Sequence, residues 1–88
     1  MIPKRERLIA AFRTTHDAIA FEAACARRGE EGRLIPLPRE ISAGCGLAWS
    51  APPEAEAEIR AAAAEGRLTL AATYLMELPE RRTKYNDR

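Results

Sequence analysis

Apolar residues are arranged along the chain in short continuous runs separated by stretches of helical spacing. Leu8-Ile9-Ala10-Ala11-Phe12 is a short apolar run with the content of a buried strand. A helix is predicted over Thr15 to Arg28, where Ala18, Phe21 and Cys25 recur at three- and four-residue steps and so share one face. Thr14 and Asp17 stand at capping-box spacing, with Asp replacing the usual Glu or Gln. Arg27 and Arg28 occupy the last turn, where cations suit the helix dipole, and Gly29 is the expected stop. Arg33 to Leu37 reads as a second strand, and Pro36 inside it predicts a sheet edge. Leu47 to Ser50 is a third strand, broken by Ala51-Pro52-Pro53. Glu54 to Glu65 is rich in Ala and Glu, with proline near its start and Gly66 at its end, and predicts a second helix. Leu68 to Met76 has the Thr, Tyr and Leu content of a last strand. From Leu78 the chain turns polar. The expected organisation is one domain over 1–77 with a loose tail over 78–88.

The order β-α-β-β-α-β in so short a chain predicts an α+β fold. It is the ferredoxin-like split βαβ, an antiparallel sheet with both helices on one face. Right-handed crossovers put strands 1 and 3 in the centre and strands 2 and 4 at the edges. The connection between strands 2 and 3 then opens at the end of the sheet where helix 1 begins. Cys45, just before strand 3, is therefore expected close to Thr14, Thr15 and His16. There the free N–H groups and partial positive charge of a helix start favour an anion.

Composition narrows the function. The chain has 88 residues, 31% of them charged, yet its net charge is only +1. That gives no general field for nucleic acid. Arg81, Arg82, Lys84 and Arg88 are offset by Glu80 and Asp87 and read as a solvated tail. The N-terminal apolar run is too short for a signal-peptide core or a membrane span, so the expected compartment is cytoplasmic, with no membrane partner. Cys25 and Cys45 make no disulfide framework, and there is no CxxC. A lone His16 with two distant cysteines builds no closed zinc site, so neither metal nor cofactor is expected.

The candidate chemistry lies in Pro38-Arg39-Glu40-Ile41-Ser42-Ala43-Gly44-Cys45-Gly46. Gly44 and Gly46 flank the cysteine, permitting a tight turn and uncovering the sulfur. Such a loop can aim several N–H groups inward and make an anion-binding concavity. The thiolate, the reactive form of cysteine, is an anion. Arg39 could pair with an anionic sulfur, Ser42 could donate to it, and His16 could hydrogen-bond or protonate it. The plainer readings are a turn cysteine, an Arg39 paired with Glu40 or a helix, a Ser42 that closes the turn and a solvated His16. Cys25, on the apolar helix face, reads as core. Trp49 lacks the neighbouring exposed aromatics of an RNA-binding sheet, and core packing or a protein contact is expected instead.

Phe12-Arg13-Thr14-Thr15-His16-Asp17-Ala18, Arg33 to Ser42, and Cys45-Gly46-Leu47-Ala48 together resemble a small bacterial family of selenium/sulfur carrier-like domains of unknown function. The resemblance runs from about Leu8 to Tyr74, with Arg33 to Gly46 its most specific block. It implies a loop cysteine that carries sulfur or selenium as a persulfide or selenopersulfide, a role that maps onto Cys45. This chain departs from the family at Glu30-Glu31-Gly32, where an apolar stretch with proline is usual. It departs again at Ala43-Gly44, where serines are usual. The expectation is a carrier rather than a true enzyme. It would be loaded by a donor such as a cysteine desulfurase and would deliver to an acceptor protein. The alternative is a non-catalytic ferredoxin-like module, a homodimer, holding a small anion at the same loop. A thiol redox enzyme ranks below both.

Overall fold

The computed structural model describes residues 4–42 and 44–79, in the order β1 (Lys4–Ala11), α1 (Thr15–Arg28), β2 (Arg33–Pro36), β3 (Leu47–Ala51), α2 (Glu56–Glu65) and β4 (Ala72–Pro79). The strands form one sheet in the order β2-β3-β1-β4, and every neighbouring pair is antiparallel. This is the expected split βαβ, with β1 and β3 central. Pro36 closes β2, a four-residue strand at one edge.

Alternation along β1 divides the molecule into two layers. Leu8, Ala10 and Phe12 point to the helix side. There they meet Ala18, Phe21, Ala24 and Cys25 of α1, Ile59, Ala62 and Ala63 of α2, and Trp49 of β3. Phe21 lies between two aromatic neighbours, 5.2 Å from Phe12 and 5.4 Å edge-on from Trp49. Trp49 is thus a core residue, as its lack of exposed aromatic neighbours predicts. Ile9 projects to the other side and packs with Ala48, Ile35, Leu37, Ile41, Met76 and Leu78. Ser50, buried on this outer side, accepts a hydrogen bond from Arg7 Nε at 3.0 Å.

Both ends of α1 follow the sequence signals. Thr14 Oγ1 accepts the Asp17 N–H at 3.0 Å, satisfying one of the free donors of the first turn. Gly29 ends the helix in the left-handed region, and the Gly29 and Glu30 N–H groups close on the Ala26 and Cys25 carbonyls. Arg27 and Arg28 then reach Glu65 of α2, at 2.9 and 3.6 Å, and tie the two helix C-termini together.

Several boundaries differ from expectation: α2 starts at Glu56 rather than Glu54, and the ends of β2 and β3 move by one residue. β1 begins at Lys4 rather than Leu8, because its charged first half finds a complete partner in β4, from Lys4 opposite Pro79 to Arg7 opposite Met76. β4 itself begins at Ala72 rather than Leu68. Arg67, at φ 59, turns the chain after α2, and Leu68 and Leu70 are used as plugs against the helix-side core. Leu78 and Pro79, expected in the tail, complete β4, and Leu78 packs on the outer layer. The rest of the expected tail, 80–88, lies outside the described residues.

Candidate functional site

The connection from β2 to β3 is fastened at three points. The Leu37 N–H donates to the Gly46 carbonyl at 2.9 Å, closing the base of the loop as a continuation of the β2–β3 pairing. The Ile41 N–H donates to the Pro38 carbonyl at 2.9 Å, and the turn this makes drops Ile41 onto the outer layer against Ile9 and Ala48. Ile41 is only 7% exposed, whereas Arg39, Glu40 and Ser42 on either side of it are exposed. At the third point Gly44 lies on the backbone of the β1–α1 turn, so closely that a Cβ there would fall 2.5 Å from the Arg13 carbonyl oxygen. Gly46 follows at φ 77, with open space around it.

These fastenings seat Cys45. Its side chain is half-buried and packs against the helix-side core, in the same cluster as Phe12 and Leu47. Sγ lies 3.9 Å from the Leu47 carbonyl oxygen, a weak contact in which the protonated thiol donates. A thiolate has no proton to give there, so ionisation would give up this contact. The contact of Gly44 with Arg13 brings the loop onto the turn that leads into Thr14 and Thr15, as the strand order required. The supporting side chains are not drawn in around the sulfur. His16 stands on the first turn of α1 with its side chain 92% exposed, 4.0 Å from the Asp17 carboxylate. Thr15 is likewise exposed. Among the described residues, no hydrogen bond or ion pair links His16, Arg39 or Ser42 to Cys45, and Arg39 forms no ion pair with Glu40.

The second thiol is in the opposite situation. Cys25 is 1% exposed beneath α1. Burial first, and then the carboxylates of Glu30 and Glu65, push its thiol up to about 11. It is a core residue poorly suited to act as a nucleophile at neutral pH.

Ile41 is the loop anchor that sequence reasoning passed over. An isolated apolar residue between Arg39-Glu40 and Ser42 belongs to no helical or strand period. Its one signal is being the sole large apolar side chain in the stretch 38–46. Ala43 lies outside the described residues. Two grooves among the described residues involve none of these groups. One, of about 400 Å³, runs between α2 and the start of β4 over Leu8, Ile59 and Leu70. The other, of about 200 Å³, is rimmed by Glu30, Glu31, Glu54 and Glu58. Among the described residues no group of His, Cys, Asp and Glu could hold a metal ion, and no helix is long and apolar enough to cross a membrane.

Compared with known proteins, residues 7–75 match the model of a family described as "Putative Se/S carrier protein-like". No curated protein and no solved structure matches. The family match takes in the β1–α1 turn, the whole β2–β3 loop with Cys45, and the first half of β4. The chain belongs to this Se/S carrier protein-like family.

Proposed function

We propose that the protein carries sulfur or selenium on Cys45 between a donor and an acceptor protein in the cytoplasm. The observation that carries this reading is the contrast between the two thiols. Cys25 is sealed and held protonated at neutral pH, while Cys45 sits in a fastened loop as a half-buried residue. Family membership points to the same cargo.

In the loading step the Cys45 thiolate attacks the terminal sulfur of a donor persulfide, such as that of a cysteine desulfurase. A new S–S bond forms on Cys45, the donor's S–S bond breaks, and the donor cysteine leaves as a thiolate. The proton lost from Cys45 passes to solvent or to the departing thiolate. Delivery repeats the exchange, with an acceptor nucleophile attacking the outer sulfur and Cys45 leaving. A selenium cargo follows the same balance, as a selenopersulfide. Exposed Arg39, Ser42 and His16 act on the docked complex, where a partner can draw them in. Thr15, Gly44 and Gly46 shape the cradle.

Intact-mass measurement after incubation with a cysteine desulfurase and cysteine tests the proposal. The wild type should gain one sulfur. Cys45→Ser should gain none while keeping its fold, because a near-isosteric change at one half-buried loop residue costs about 1 kcal/mol. Cys25→Ala should still load. Loading of Cys45→Ser would move the cargo elsewhere, and unfolding of that variant would make Cys45 structural. No gain in the wild type, with a small anion bound at the loop, would favour a binding module instead.

A further inference from the structure

The sheet has two unlike edges. β2 is four residues long and ends in Pro36. β4 is eight residues long, pairs with β1 along its whole length, and has no strand on its other side among the described residues. Two large side chains stand out of the middle of β4, Tyr74 at 39% and Leu75 at 57% exposure. Neither belongs to the helix-side or the outer cluster. A long, apolar, open edge of this kind is a template for another strand.

The sequence of β4 identifies that strand. If two copies are related by a two-fold axis perpendicular to the sheet, both helix layers stay on one side. Opposed residues then have numbers whose sum is even. Centring the axis on Tyr74 sets Thr73 against Leu75, and centring it on Met76 sets Glu77 against Leu75, both poor partners. Centring it on Leu75 matches every pair. Leu75 meets Leu75 on the helix side, flanked on both sides by Thr73 opposite Glu77, a hydroxyl facing a carboxylate. On the outer side Tyr74 meets Met76 twice, an aromatic–thioether contact, and Ala72 meets Leu78 twice. Glu77 is the only charged residue of the strand, and in this register it never faces its own copy.

We infer that β4 is the interface of a homodimer. Two copies pair edge to edge, antiparallel about Leu75, into one eight-stranded sheet with the Cys45 loops left open. The inference is independent of the carrier chemistry and survives or fails without it.

Sedimentation of the full chain over a concentration series tests it. The wild type should be a dimer at the upper end. Leu75→Lys and Leu75→Glu should each be monomeric, since each would set like charges directly opposite one another. An equimolar mixture of the two should dimerise again, because the opposed pair becomes lysine and glutamate. A monomeric wild type, dimers in both single variants, or a mixture that stays monomeric would overturn the pairing. Should either variant lose its circular dichroism, hydrogen exchange of the wild type decides the matter. Protection over 72–79 should rise with concentration, and concentration-independent exchange would overturn the inference.

Discussion

Cys45 depends on neighbours that contribute no side chain. Gly44 and Gly46 constrain the loop for different physical reasons. At Gly46 the backbone is left-handed but the surroundings are empty, so an alanine meets only conformational strain. At Gly44 an alanine would drive its methyl into the Arg13 carbonyl, which is backbone and cannot rotate away. We therefore expect Gly46→Ala to cost about 1 kcal/mol and to load persulfide at close to the normal rate. Gly44→Ala should cost about 1–3 kcal/mol as the loop lifts off the β1–α1 turn, and its loading should slow several-fold. Urea titration and a timed mass assay on the two variants measure both effects. Equal loading by both would mean that contact with the turn does not position the sulfur.

At the scale of elements, helix ends show where sequence reading succeeds and where it stops. The start of α1 at Thr14 and its end at Gly29 were legible, because hydroxyl capping and glycine stops act locally. For α2 the helix stops before Gly66 as expected, but the left-handed turn comes one residue later. The Arg67 and Leu68 N–H groups close on the Ala64 and Ala63 carbonyls, so the left-handed residue of this cap is Arg67, while Gly66 is right-handed. Arg67→Gly should therefore raise stability by about 0.5–1 kcal/mol, read as a higher urea midpoint with unchanged slope. An unchanged or lower midpoint would mean that the arginine compensates its own strain. The same cap explains why β4 starts late. Leu68 serves α2 by packing back against the core, and the alternation of 68–71 resembles a strand without being one. The strand order, and with it the nearness of the loop to the start of α1, followed from chirality rules that need only element order. Ile41 was illegible because its partners Ile9 and Ala48 are distant in sequence and become neighbours only in the sheet.

At the scale of the whole molecule, the sealed thiol links stability to pH. Well below pH 9 Cys25 is protonated whether the chain is folded or not. Between its ordinary 9.0 and the raised value of about 11, the unfolded chain ionises while the folded one does not, so stability falls as pH rises. Two pH units correspond to roughly 2 to 3 kcal/mol at about 1.4 kcal/mol per unit. Cys25→Ala should lose that part of the slope, and urea unfolding of both proteins across this range measures the difference. Parallel pH profiles would mean that Cys25 ionises as readily folded as unfolded. Pro36 has a consequence at the same scale. A chain with two open margins could add copies without end and grow into a fibre. Here the short, proline-ended strand disfavours addition on one side, and pairing about Leu75 would use up the other in both partners at once. Assembly would stop at two, and the protein could be concentrated without polymerising.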